Sequence, residues 1–300
     1  MKTSFRFVLP FLIVAAAPVA NALTLSLTTS LATAPTDLTN AVLAPSSGIT
    51  VVGTPTLQGV AGAGNAAQSA TYTGFNLAPS SGSTPTLVLP NGILLTSGTA
   101  NLPTTNTTNQ FNPAFPGTGS NALLTALAGS SLDSNALNIT FTVAPGMNSV
   151  SASFVFGTDE FPTQSVTDIF GFFVDGVNYA KFPSGELISN TPGNPTNFIS
   201  NPVGGGLYAI EYNGLSQSFN VVGLLNPALS QHTLTIAVAD TSDTIFDSGV
   251  FIGGLKAGTS TGGGGIINPP GDSVPEAGST CILLIAALGG LGLLRKKLSL

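Results

Sequence analysis

Charge is the scarcest resource in this chain of 300 residues: Asp, Glu, Lys and Arg together make up 7% of it. Tryptophan is absent, and there is one histidine, His232, and one cysteine, Cys281. Each shortage excludes something. A lone cysteine forms no intrachain disulfide and no cysteine metal site. A lone histidine excludes multi-histidine metal centres and leaves little room for a Ser-His-Asp arrangement. Without Trp, and with four Tyr, the chain offers few of the aromatic platforms on which sugars stack. Low charge combined with 43% apolar residues is not a disordered composition, which is usually highly charged.

What is abundant is Gly (36) and Pro (21), with Ser, Thr and Asn among β-branched residues. That mixture predicts an all-β protein with long polar turns. "SVSASFVF" (149–156) sets Val150, Ala152, Phe154 and Phe156 on one face, the period-2 pattern of a half-buried strand. "ALNITFTV" (136–143) and "HTLTIAVA" (232–239) behave alike. Asn91-Gly92, Asp175-Gly176 and Asn213-Gly214 tolerate the positive φ of tight turns. The clearest hairpins are "DIFGFFVDGVNYAKF" and "GLYAIEYNGLSQSFNVV". Two short helices are expected, over 36–44 and 120–128, with Thr36 or Asp37 and Ser120 as caps and Pro45 and Gly129 as stops. About ten strands without βαβ alternation give an antiparallel β-sandwich, jelly-roll-like, with one or two short helices and a C-terminal hydrophobic helix. Residues 101–119 read as a long polar loop.

The two ends carry address signals. Lys2 and Arg6, an apolar run over 7–17 and the small residues Ala20 and Ala22 have the layout of a signal peptide over 1–22. A body over 23–256 gives way to a Gly/Pro-rich linker, 257–273, and then to an apolar segment. Ala277 to Leu294 is barely long enough to span a bilayer, and Arg295, Lys296 and Lys297 form a stop-transfer cluster that holds the C-terminus in the cytoplasm. With both ends set aside, residues 23–273 hold two basic and twelve acidic side chains, a formal −10. A body this acidic does not bind phosphate backbones, so nucleic acid is not an expected partner.

The acids crowd into strand ends. Asp159 and Glu160 follow one strand, Asp168 opens the next, and Asp240, Asp243 and Asp247 lie between two apolar strands. Carboxylates so placed repel unless something neutralises them, and oxygen-rich clusters suit Ca²⁺. Simple turn capping by Asp is the competing reading. Paired-carboxylate catalysis in the Asp159/Glu160 region is a third.

Five segments resemble one family in order along the chain: "LPNGILLTSGTA" (89–100), "SLDSNALNITFTV" (131–143), "FVFGTDEFP" (154–162), "DIFGFFVDG" (168–176) and "IAVADTSDTIFDSGVFI" (236–252). They resemble the choice-of-anchor L family of bacterial surface domains, which are joined to varied C-terminal anchoring signals. The resemblance implies an extracellular β-rich domain with no established enzymatic activity. The tail, with Val274-Pro275-Glu276 before Ala277, Gly278, Ser279 and Thr280, resembles the VPE variant of PEP-CTERM sorting signals. That implies an exosortase-type membrane transpeptidase as partner. The expected function is a non-enzymatic cell-surface or extracellular-matrix protein, adhesive or structural, with Ca²⁺ as its cofactor and polysaccharide or other surface proteins as partners. The alternatives are a polysaccharide-binding module and a secreted hydrolase.

Overall fold

The computed structural model of the chain describes residues 22–82, 84–111, 118–162, 168–190 and 195–267. Of the terminal signals only Ala22 falls within them, exposed just ahead of the first strand. Ala20, the Val274-Pro275-Glu276 motif, the apolar segment 277–294 and the Arg295–Lys297 cluster lie outside. Among the described residues no helix is long and apolar enough to cross a membrane.

In chain order the elements begin β1 (Thr24–Leu27), α1 (Ala34–Val42), β2 (Ile49–Val51), β3 (Thr56–Gln58), β4 (Ser69–Thr73), β5 (Asn76–Leu77), β6 (Leu87–Val88), β7 (Gly92–Thr96) and α2 (Ala122–Ala128). There follow β8 (Leu132–Val143), β9 (Ser149–Thr158), β10 (Ile169–Val174), β11 (Val177–Asn178), β12 (Ile188–Ser189) and β13 (Phe198–Ser200). The last are β14 (Gly214–Ser216), β15 (Phe219–Leu224), β16 (His232–Asp240), β17 (Ser248–Gly258) and β18 (Gly265–Ile267). Every ladder between these strands is antiparallel.

The first sheet runs β1-β4-β7-β17-β9-β14-β13, with β15 and then β18 carried along the other half of β9. The second runs β11-β10-β16-β8-β2, with β12 on β10 and β3 on β8. The two inner faces meet in one apolar core, and the alternation expected over 149–156 holds: Val150, Ala152, Phe154 and Phe156 all face it. They are joined there by Val250 and Ile252 of β17, and by Phe170, Phe172, Leu234 and Ile236 from the facing sheet. The outer faces are covered too. Tyr72, Leu94, Val155 and Phe251 lie under Phe75, Leu87 and Tyr212, while α2 seats Leu124 against Phe173 and Ala237. Strands buried on both faces explain why β10 and β16 read as near-continuous apolar runs rather than alternating ones.

Both helices form, each displaced slightly from its expected span. α1 starts at Ala34, not at Thr36, because Pro35 takes the first turn, where its missing N–H costs nothing; Leu43, already extended at ψ 132°, ends it ahead of Pro45. α2 is capped by Asn121 rather than Ser120. The Asn121 side chain accepts from the N–H groups of Leu123 and Leu124 at 3.1 and 3.3 Å, and Gly129 closes the helix at φ 83°.

Of the two expected hairpins, one forms. Asp175 (φ 50°) and Gly176 (φ 81°) make the two-residue turn between β10 and β11, with Val174 paired to Val177. The Asn213-Gly214 hairpin does not, since residues 207–213 form no strand. Gly214 instead pairs with Ser200 of β13 and Thr158 of β9, and a Cβ on it would press on the Phe161 ring. Asn91-Gly92 likewise makes no hairpin: β6 pairs with β5, and Gly92 pairs with Gly253 of β17 and Tyr72 of β4. In both cases the glycine permits close approach of another chain segment rather than a turn.

The sheet also continues past Lys256, into residues expected to begin a flexible linker. β17 runs to Gly258, and β18 pairs with β15 through Val222–Gly265 and Asn220–Ile267. Ile266 packs on the core, and Gly264 lets the backbone lie against the Tyr179 ring.

Candidate functional site

One end of the sandwich collects the carboxylates. Asp240 ends β16 and Asp168 immediately precedes β10; because Ile169 pairs with Ala239, these two acids face one another at the next step of that ladder. Asp159 follows β9 and Asp247 precedes β17, and their backbones meet through Asp159 N–H donating to Asp247 C=O at 3.2 Å. Each sheet therefore contributes one cross-strand pair of aspartates at the same end of the molecule. Glu160 sits beside the second-sheet pair, within the field of Asp240 and Asp243.

Five of the six acids expected to cluster do so in the interior: Asp159, Glu160, Asp168, Asp240 and Asp247 are each 2% exposed or less. The sixth, Asp243, is only partly covered; its carboxylate accepts from Ile245 N–H at 3.3 Å, the turn-capping role that was the competing reading. Asp159 and Asp247 each leave one oxygen, and Glu160, Asp168 and Asp240 both oxygens, buried without a hydrogen-bond partner among the described residues. Nor do the described residues supply a compensating cation. Lys256 lies on β17 near its opposite end, Lys181 beyond β11. Among the described residues the one ion pair joins His232 Nδ1 to Asp175 Oδ2 at 2.8 Å, at the far end of β16.

Electrostatics follow from that geometry. Burial pushes Asp159 up to about 8, with the Glu211 and Glu160 charges adding to it against N–H donors from Asn213 and Phe111. Burial also raises Glu160 to about 8, helped by Asp243 and Asp240. Asp247 is raised to about 8 by burial and by Asp159, against the Thr99 N–H. Asp168 and Asp240 lie well above the ordinary carboxylate range, chiefly through burial; neighbouring acids add to this, while the Ser248 hydroxyl beside Asp168 and the Ser97 hydroxyl beside Asp240 oppose it. A buried carboxylate without a partner is held uncharged or is neutralised by something else.

The walls of the site are cut to fit these side chains. A Cβ on Gly98 would overlap the Asp247 carboxylate. A Cβ on Gly157 would overlap the Tyr212 ring, and one on Gly249 the Tyr212 hydroxyl. That hydroxyl is itself buried without a hydrogen-bond partner among the described residues and lies in the field of Asp247 and Asp159. Sequence reasoning missed Tyr212 and Glu211 because it placed both in the hairpin that does not form. Glu211 anchors a strap from the long polar loop: its carboxylate accepts from Thr107 N–H (3.0 Å), Thr107 Oγ1 (2.8 Å) and Thr108 N–H (3.1 Å). Asn213 Nδ2 donates to Asn109 C=O at 3.1 Å, and Asp247 N–H to Phe111 C=O at 3.1 Å.

Chemically, this arrangement is suited to holding positive charge. Asp159 and Glu160 are interior groups, 2% and 0% exposed. Among the described residues no group of three or more His, Cys, Asp or Glu side chains is placed to hold a metal ion.

Comparison with curated proteins and with solved structures finds no match. The choice-of-anchor L domain matches residues 27–256, which span nearly all of both sheets and every carboxylate of the acidic end. The chain belongs to the choice-of-anchor L family of bacterial surface-associated domains.

Proposed function

We propose that this protein is an exported, non-enzymatic component of the bacterial surface or extracellular matrix whose β-sandwich serves as an adhesive or structural unit stabilised by Ca²⁺ at its acidic end. The observation that carries the reading is the set of buried aspartates and Glu160 whose oxygens lack hydrogen-bond partners among the described residues. Hard divalent cations take several carboxylate and carbonyl oxygens. An extracellular domain without a disulfide gains stability from such an ion by mass action. Calorimetry tests it: Tm rises at millimolar Ca²⁺ over EDTA, and an unchanged Tm sinks the reading.

Sorting belongs to the same proposal. Export by the 1–22 segment, transient retention through 277–294 with a cytoplasmic Arg295–Lys297 cluster, and processing near Val274-Pro275-Glu276 by an exosortase-type transpeptidase together account for the terminal signals. Mass spectrometry of surface material decides it. The proposal expects a C-terminus near residue 276; recovery of the intact tail would leave a plain anchor.

A further inference from the structure

We infer that β1 is a self-association edge: two copies of this chain join antiparallel through Thr24–Leu27 about a two-fold axis at Leu25. The first sheet then continues from one molecule into the other, and the apolar groove beside β1 is covered. The inference is independent of the calcium reading.

β1 ends the first sheet, and among the described residues β4 is its one strand partner. Its other side is ready to pair. Thr28 N–H donates to Ser69 C=O at 2.9 Å, one step past the Leu27–Ala70 pair. Backbone groups alternate along an antiparallel strand, so Thr24 and Ser26 also turn towards β4, while the N–H and C=O of Leu25 and Leu27 point away from the sheet. Sheets usually guard such an edge with charge, proline or a bulge. Residues 23–33 contain no charged residue and no proline, and the β1–β4 register runs without a shift. By contrast β18, another edge of this sheet, leads in the sequence to Pro269-Pro270.

The side chains fix the register. Thr24 and Ser26 are exposed, whereas Leu23, Leu25 and Leu27 are half-buried on the opposite face. There they line a groove of about 500 Å³ with Leu77, Leu102 and Ile210. An axis at Leu25 sets that residue against its own copy and Leu23 against Leu27, so the leucines of both molecules share one face. A slip of one residue would set Leu against Thr or Ser and put the two grooves on opposite faces.

Charge selects the partner. No Asp, Glu, Lys or Arg occurs from residue 38 to residue 132, the stretch that supplies β4, β7 and the groove wall at Leu77 and Leu102. None of the groove's lining residues is charged, so a basic or acidic partner finds nothing there to pair with. None is aromatic, so a sugar chain finds no ring to stack on. A second copy brings a matching neutral edge, and two acidic bodies meet there without opposing like charges.

The test uses the mature protein recovered from the cell surface, in EDTA so that the outcome leaves the calcium reading untouched. Analytical ultracentrifugation and hydrogen exchange are run over a concentration series. Wild type is expected to dimerise at concentrations up to about 100 µM. The Leu25 and Leu27 amides should slow by about tenfold or more as it does. Leu25→Lys sets two ammonium groups against each other at the axis. Thr24→Lys/Ser26→Lys sets lysine against lysine on either side of it, from exposed positions that leave the core untouched. Each is expected to weaken dimerisation by about tenfold or more. A monomer throughout the series, a dimer whose Leu25 and Leu27 amides exchange unchanged, or a dimer undiminished by the lysines would overturn the inference. The wild-type measurements decide the matter even if a variant fails to fold.

Discussion

Asp168 and Asp240 face one another across the β10–β16 ladder, one step beyond the Ile169–Ala239 pair, both fully buried and, among the described residues, with no basic side chain paired to them. Two carboxylates so placed cannot both be charged unless a cation sits with them. In EDTA at pH 8, Asp168→Asn should therefore stabilise the fold by ~1–3 kcal/mol, because an amide removes a buried acid and donates to Asp240. In a domain of this size that is a Tm increase of about 2–4 °C per kcal/mol. In Ca²⁺ the same variant should lose stability relative to wild type. A Tm that falls in EDTA would show that the pair stabilises the metal-free fold as it stands.

The pH dependence of the metal-free protein has a definite sign. Asp159, Glu160 and Asp247 are raised by burial and neighbouring acids to about 8, far above their unfolded values. The folded state thus binds more protons than the unfolded one between those limits. The contribution is fully present below about pH 4 and is lost as pH rises through about 8. In EDTA, Tm should be higher at pH 5 than at pH 9. In millimolar Ca²⁺ the order should invert, because a metal needs its ligands deprotonated. Thermal melts at the two pH values, with and without Ca²⁺, check both halves.

Much of this arrangement could be read from residue order. Strand ends were visible in the apolar runs, so Asp159, Glu160, Asp168, Asp240 and Asp247 could be placed at strand termini, and five motifs in order gave the family. Cross-strand pairing could not be read. That Asp159 neighbours Asp247 and that Asp168 neighbours Asp240 depends on strand order, which alternation along one strand does not encode. The same gap explains Asn213-Gly214: the dipeptide is compatible with a hairpin, but Phe161 and Asp159, distant in sequence, set its role. Gly98 carried no local signal, for its reason is a carboxylate about 150 positions away.

At the opposite end of β16, Asp175 illustrates the contrary electrostatic case. Burial pushes it up, but donors from Asn226, Thr233 and His232 outweigh that and hold it below the ordinary carboxylate range. Its stabilising contribution is present above the unfolded value and is lost as pH falls through the lowered one. Asp175→Ala at pH 7 should cost ~1–3 kcal/mol, since it orphans the donors and places Ala at φ 50°. Asp175→Asn, which tolerates that backbone, should cost less. Urea denaturation of the two variants separates the turn's demand from the charge's; equal losses would assign the whole effect to the charge.

Gly98 and Asp247 should prove energetically coupled. A Cβ on Gly98 falls on the Asp247 carboxylate, and a buried aspartate with one rotatable bond from its backbone has little space to withdraw. Gly98→Ala alone is expected to cost ~1–3 kcal/mol, the usual range for overpacking. In an Asp247→Gly background the obstruction is gone, so the same substitution should be nearly neutral. The double-mutant cycle would then return a coupling of about 0.5–3 kcal/mol. The cycle is best run in EDTA, where loss of a cation cannot contribute. Additive losses would mean that the space beside Gly98 is filled by something other than the Asp247 side chain, and the packing described for the first-sheet aspartate pair would have to be redrawn.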